Sequence, residues 1–271
     1  MVVQHNLTAA NTNRQLGITT NGLQKSTEKL SSGYKINRAA DDAAGLSISE
    51  KMRNQIRGLN KASDNAQDGI SLVQTAEGAL NEVHSMLQRM SELAVQASND
   101  TNQTVDRAAL QSEVVQLQQE INRVADTTQF NKQNILNGDF QNKNLQVGAN
   151  AGQSIGVSIT DIKTTCTDAL NGTSVDTYDN AQTAITNIQS SITALSTQRS
   201  TLGAIQNRLE HTTANLDNIS ENTQSAESRI RDTDMAEEMV QYSKNNILQQ
   251  AGQSMLAQAN QANQGVLSLL Q

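Results

Sequence analysis

The sequence predicts a mainly α fold: an elongated antiparallel coiled-coil or helical-bundle rod that carries a small β-hairpin. Three observations predict it. Apolar residues recur at alternating spacings of three and four over long runs, the rhythm of a helix seam. Proline is absent from all 271 residues, where average usage near ~5% would place roughly a dozen, and proline breaks helix interiors. Aromatics make up 2% of the chain, with no Trp, two Phe and three Tyr. Aromatic side chains supply the largest buried areas of a thick core, so a hydrophobic content of 36% suits a thin seam shared between helices.

The elements follow in order. Leu16, Thr20, Leu23, Thr27, Leu30 and Tyr34 form a first seam, thin and diluted by Thr. A long helix then starts near Asp41 or Asp42, whose carboxylates can cap free amides, and runs to Ser98. Its seam passes through Leu59, Ala62, Ala66, Gly69 and Val73, and on through Leu80, Leu87 and Met90 to Ala97 without losing phase. At ~1.5 Å per residue this helix is roughly 85 Å long. The polar link 99–104 leads to a second helix on Leu110, Val114, Leu117, Ile121 and Val124. Residues 134–160 change texture, with Gly138, Gly148, Gly152 and Gly156 and short alternating runs at 145–147 and 155–159. Turn chemistry at 148–152 makes these runs a β-hairpin. Residues 161–180 read as an irregular loop or a short extra element. A further helix spans Ile185 to Ile230, with Arg199, Thr212 and Thr223 as polar seam positions that can fix register. Last comes a seam on Ala251, Met255, Ala259, Ala262, Val266 and Leu269. Isolated helices as dilute as the two at the ends are marginal in water, so each end needs a partner to stay ordered.

Charge and composition exclude several functions. The net charge is −7 and the pI is near 5.0, against nucleic acid as a partner, since phosphate neutralisation needs Lys and Arg. No apolar run approaches the ~18 residues of a membrane span. Residues 1–20 lack a basic stretch followed by an apolar one, so no cleaved signal peptide is expected and secretion needs another route. Cys166 is the sole cysteine, which precludes an intrachain disulfide; it reads as an incidental thiol. His5, His84 and His211 stand at no metal-ligand spacing, and His84 and His211 fall just off their seams as solvent-facing residues. No nucleophile elbow or phosphate loop is present. The expectation is no enzyme, with catalytic residues, cofactor and metal all none. Charge is also unevenly placed: 25–61 carries a net +4 and 208–238 a net −5. If the ends return on each other antiparallel, ion pairs should join the two blocks.

One run is highly specific. Leu30-Ser31-Ser32-Gly33-Tyr34-Lys35-Ile36-Asn37-Arg38-Ala39-Ala40-Asp41-Asp42-Ala43-Ala44-Gly45-Leu46 closely resembles the N-terminal signature of bacterial flagellins. Leu87-Gln88-Arg89-Met90-Ser91-Glu92-Leu93-Ala94-Val95-Gln96, Thr128-Gln129-Phe130-Asn131, Gln146-Val147-Gly148-Ala149-Asn150 and Arg229-Ile230-Arg231-Asp232-Thr233-Asp234-Met235-Ala236 add to it. The resemblance covers about 1–160 and 180–271; the large variable outer domains of many flagellins have shrunk to a short stretch around 161–180.

The resemblance implies that the two ends pair as a helical hairpin, a terminal two-helix inner-tube domain beside the rod, and it implies a division of the chain. Residues 1–42 are an N-terminal inner-tube helix and spoke, 43–160 an N-terminal rod, 161–180 a short variable connection, 181–231 a C-terminal rod helix and 232–271 a C-terminal inner-tube helix. It implies polymerisation with itself into the flagellar filament for motility, and an extracellular location reached through the flagellar export apparatus with an export chaperone. Assembly would proceed with filament cap and hook-junction proteins. Ser32, Gly33, Asn37, Asp41 and Asp42 carry the spoke signature; Met255, Leu256, Val266, Leu267 and Leu270 belong to the polymerisation helix. The resemblance also places recognition by a host's Toll-like receptor 5 on Arg89, Leu93 and Glu113. These three lie one place off their seams, and Arg89 and Leu93 share a helix face; an apolar Leu beside Arg there reads as a contact surface for subunit or receptor, the alternative being a face packed against the neighbouring helix or subunit. Two rivals remain: a hook–filament junction protein, which shares the terminal architecture, and a soluble coiled-coil binding module, which would need neither the thin terminal helices nor the signature.

Overall fold

The structure is a computed structural model that describes residues 6–167 and 173–268, the side chains of 167 and 262–268 excepted. The described residues form α1 (Leu7–Ser32), α2 (Ala43–Ala97), α3 (Thr104–Thr127), α4 (Tyr178–Arg231) and α5 (Met235–Ser268), with a π-helical turn at Lys163–Thr167. Two antiparallel ladders accompany them. β1 (Gln129–Phe130) pairs with β2 (Gln133–Asn134), and β3 (Lys143–Gln146) pairs with β4 (Ser154–Val157), Leu145 opposite Ile155.

Contacts divide the chain into two compact units, 55–221 and the combined 1–54 and 222–271. The division falls inside α2 and α4, whereas the sequence places boundaries at the helix ends. In the first unit, α2 and α4 run antiparallel: Asn60 meets Ser220, Ser63 meets Asp217, and Glu77 meets Arg199. The main core gathers Val73, Leu80, Val83, Leu87 and Met90 of α2 with Ile188, Leu195 and Leu202 of α4 and Val114 and Ile121 of α3. Arg107 on α3 closes the end of α2, its Nε donating to the Ala97 carbonyl at 3.0 Å. The β3–β4 hairpin packs through Leu145 and Ile155 on Ala66 and Leu209.

The other unit is built differently. α1 and α5 pack antiparallel, with Asn6 against Ala259 and Lys29 against Glu238. α1 buries only Ser26, and Ile36 is the one buried hydrophobic residue among the described residues of this unit. Fifty or more helical residues here share almost no core of their own.

Three features add to the sequence expectations. Beside the expected hairpin, the described residues hold a second ladder, where Asn131 and Lys132 adopt positive φ of 49° and 63° and turn β1 onto β2. Among the described residues of the 161–180 connection, the π turn is the short extra element, and α4 begins at Tyr178. Cys166 lies inside that turn with 0% exposure, packed in the main core, and burial pushes its thiol up to about 11.

Candidate functional site

The signature residues between α1 and α2 are turn chemistry. α1 stops at Gly33, whose φ of 75° is left-handed and whose N–H donates to the Lys29 carbonyl at 2.8 Å; glycine takes that conformation without a Cβ penalty. Ser32 Oγ accepts the Tyr34 N–H at 3.1 Å, and Asn37 Nδ2 donates to the Tyr34 carbonyl at 3.2 Å. Asp41 Oδ2 accepts the backbone N–H groups of Arg38 at 3.0 Å and Asn37 at 3.2 Å. The Arg38 N–H, with that of Asn37 and the charge of Lys25, holds the Asp41 carboxyl below its ordinary range. Asp42 Oδ1 accepts the Gly45 N–H at 2.9 Å and so caps the start of α2. All five signature residues therefore shape one corner.

A second corner, between α4 and α5, is tied to the first. Tyr34 and Asp232 form an antiparallel bridge. On either side of it, the Lys35 N–H donates to the Arg231 carbonyl at 2.7 Å and the Thr233 N–H to the Gly33 carbonyl at 3.0 Å. The Arg231 guanidinium lies 4.7 Å from the centroid of the Tyr34 ring, and its Nη1 pairs with Glu50 Oε1 at 2.9 Å. The Arg231 side chain is only 12% exposed, and its buried Nε has no partner. The expected link between charge blocks is present in part. Lys29–Glu238 at 3.4 Å joins basic block to acidic block, whereas Arg231–Glu50 joins them with the signs reversed.

Beyond the corners the terminal pair exposes a large apolar surface. Leu7 and Ile18 on α1 are 73% and 60% exposed; Val240, Ile247 and Met255 on α5 are 67%, 66% and 59% exposed. Leu256 is half-buried. Val266 and Leu267 lie where side chains are not described, and Leu270 lies outside the described residues, as does His5.

The three off-seam residues separate. Arg89 and Glu113 are exposed and bonded to each other, Nε to Oε1 at 2.9 Å, with Glu92 accepting from Nη1 at 3.2 Å. The Glu113 hydrogen bond, with that of Glu92, raises the Arg89 pKa. Leu93 is 1% exposed and belongs to the main core, so the expected apolar contact surface is absent at that residue. The physical reason is α3: its arrival widens the buried face of α2 beyond a single seam. His211 is exposed; His84 is half-buried, with Nε2 3.1 Å from Gln88 Nε2 and a buried, unpartnered Nδ1. Among the described residues no group of three His, Cys, Asp or Glu side chains could hold a metal, and no helix is long and apolar enough to cross a membrane. Sequence reading missed the buried hydroxyl pairs Ser220–Asn60 at 2.6 Å and Ser63–Asp217 at 2.9 Å; both serines stand one place beyond a seam position, after Ile219 and Ala62.

Comparison with known proteins places this arrangement. The bacterial flagellin N-terminal helical region matches residues 3–141, and the bacterial flagellin C-terminal helical region matches residues 185–270. A flagellin of Halalkalibacterium halodurans is 59% identical over 271 residues, covering 100% of both chains. A 31.3 kDa flagellar filament core protein of Treponema maltophilum is 48% identical over 286 residues, again covering 100% of each. The crystal structure of Bacillus cereus flagellin is similar with a TM-score of 0.53 and 32% identity, over 56% of this chain and 88% of that one.

Proposed function

The chain belongs to the bacterial flagellin family, and from that premise we propose that it is the repeating subunit of an extracellular flagellar filament that serves motility, with the terminal helix pair as its polymerisation surface. The observation that carries this reading is the imbalance in the terminal unit. Ile36 is its one buried hydrophobic residue among those described, while Leu7, Ile18, Val240, Ile247 and Met255 are each at least 59% exposed. Each such side chain contributes about 1.5–3 kcal/mol when covered. A second copy of the chain is the partner whose matching helix pair can cover them.

The same reading gives the chain its transient partners: the flagellar export apparatus and an export chaperone before assembly, and the filament cap and hook-junction proteins during it. A released subunit would meet Toll-like receptor 5 through the exposed Arg89–Glu113 pair, with Leu93 supporting that surface from beneath. The filament core protein of Treponema maltophilum supports the subunit role by its name and its 48% identity over the full chain.

Electron microscopy and sedimentation of the purified chain after seeding test the proposal. The full chain should form long helical filaments. A chain lacking 250–271 should keep the helical signal of the 55–221 unit and stay monomeric. Filaments of normal length from the shortened chain would refute the assignment of the terminal pair.

A further inference from the structure

A recess of about 390 Å³ opens beside the β1–β2 ladder, within the 55–221 unit. Small-molecule pockets start at ~300 Å³, so it has room for a ligand. The register of the ladder places Gln129 opposite Asn134 and Phe130 opposite Gln133, with Lys132 in the turn between the strands. Gln129, Lys132, Gln133 and Asn134 reach the recess from the ladder, Phe140 and Lys143 from the run that opens β3. Asn134 Oδ1 is buried and accepts no hydrogen bond among the described residues. An unpaired buried acceptor is costly, so the site calls for a donor. Lys132 and Lys143 are exposed and pair with no carboxylate among the described residues. The one carboxylate in the lining, Asp139, accepts from Asn137 Nδ2 at 2.6 Å. The exposed amides of Gln129 and Gln133 are unbonded among the described residues, and each can both give and take hydrogen bonds. Phe140 is 6% exposed and offers an apolar base.

We propose that this recess is a binding site for a sugar acid, a hydroxylated pyranose ring that carries one carboxylate. The carboxylate meets Lys132 and Lys143, where charge-assisted hydrogen bonds are the strong ones. Ring hydroxyls donate to Asn134 Oδ1 and exchange hydrogen bonds with Gln129 and Gln133, and the C–H face of the ring lies on Phe140. Simpler ligands leave part of the site unanswered. A bare anion brings no donor to Asn134, and an apolar molecule matches neither the lysines nor the amides. A free sugar acid and a unit of an acidic polysaccharide share the required chemistry. The inference goes beyond the filament-subunit reading and does not rest on it.

NMR titration of the isotope-labelled full chain at low salt tests the site. Galacturonate is the ligand, galactose the ring without the carboxylate, and acetate the carboxylate without the ring. Galacturonate should shift the side-chain amides of Asn134, Gln129 and Gln133 saturably, and galactose and acetate should each bind at least about tenfold more weakly. Replacing both lysines, Lys132→Gln with Lys143→Gln, should weaken galacturonate by about tenfold and leave galactose unchanged. Asn134→Leu removes the buried acceptor and should weaken galacturonate and galactose alike. Trigalacturonate separates the two sources: tighter binding than galacturonate assigns the site to a polysaccharide, equal binding to the free sugar acid. The proposal is overturned if galacturonate gives no saturable shift, or if acetate or galactose matches it. It is equally overturned if the double lysine variant binds galacturonate as well as the wild type does. The Ile135 N–H donates to the Thr128 carbonyl at 3.3 Å across the ladder. If Asn134→Leu lowers its exchange protection, the ladder itself is disturbed and the lysine variants, at exposed positions, decide alone.

Discussion

Arg89, Leu93 and Glu113 occupy equivalent places in the heptad pattern and different places in the molecule. Position relative to one seam tells a residue's angle on the helix, not how many partners the helix has. Leu93 is 1% exposed in the core that gathers residues of α2, α3 and α4, while Arg89 and Glu113 remain at the rim, their side chains 51% and 44% exposed. The stability consequences diverge accordingly. Leu93→Ala should cost about 2–5 kcal/mol through lost burial and a residual cavity. Arg89→Ala and Glu113→Ala should each cost under about 1 kcal/mol, as exposed ion pairs do. Urea unfolding of the three single variants measures this. If Leu93→Ala proves as mild as Arg89→Ala, the core assignment of Leu93 is wrong. The outcome also governs any receptor assay, since a triple replacement would confound a disturbed fold with a lost contact. Residue by residue, the sequence was legible where a local rule decides. Asp42 as a cap is one such case, and the polar corner around Gly33 another. It was not legible where distant packing decides, as at Leu93 and Cys166.

At the scale of elements, the long helices were readable because their periodicity repeats over many turns, and an error at one position cannot shift the phase. The Asp42 cap and the polar link after Ala97 fixed both ends of α2 to within a residue or two. Short elements offered no such redundancy. β1 and β2 hold two residues each, too few to alternate, and the turn between them uses Asn131 and Lys132 at positive φ, a conformation a lysine does not announce. The β3–β4 hairpin was legible from its turn, but its seat was not. That seat is Gly58 on α2: a Cβ there would lie 2.9 Å from Ala149 Cβ and 3.3 Å from its Cα, against the hairpin tip rather than a flexible side chain. Gly78, in the same helix, has nothing within 4 Å of the same position. Replacing Gly78 with Ala should therefore stabilise the chain by up to about 1 kcal/mol, the difference in helix propensity. Gly58→Ala gains the same propensity but must displace the hairpin tip, so it should be net destabilising and should shift the NMR signals of 148–152 and of the Asn65 side chain, which donates to the Gln146 carbonyl. Equal stabilisation by both substitutions would show that the hairpin is not seated on Gly58.

For the whole molecule, the decisive feature is that nearly all the described core belongs to one of the two units. Every buried hydrophobic residue among those described lies between Leu59 and Leu216 except Ile36, although the terminal unit has two full helices. Hydrophobic burial is the main force opposing the entropy of ordering, so the two units cannot share one stability. The 55–221 unit should unfold as the cooperative core of the free chain. α1 and α5 should open locally at little cost, as segments with few buried contacts do. Assembly reverses this for the terminal pair alone, because binding that selects the ordered form stabilises it by mass action, ~2.7 kcal/mol when the free partner stands at 100 times its dissociation constant. The sequence showed the cause, dilute seams with Ala, Thr, Gln and Asn, and the resemblance implied that the two ends pair as helices; what neither showed is that one face of each would stay bare. The expected measurement is amide exchange on matched monomer and filament samples. In the monomer, the amides of 10–28 and 240–258 should exchange orders of magnitude faster than those around Leu80 and Leu202. In the filament they should slow by ~100-fold or more, the factor that corresponds to the same 2.7 kcal/mol, while the amides of the 55–221 unit change little. Terminal amides already as protected in the monomer as Leu80 would mean that α1 and α5 are stable without a second copy, and the exposed apolar face could then not be what drives assembly.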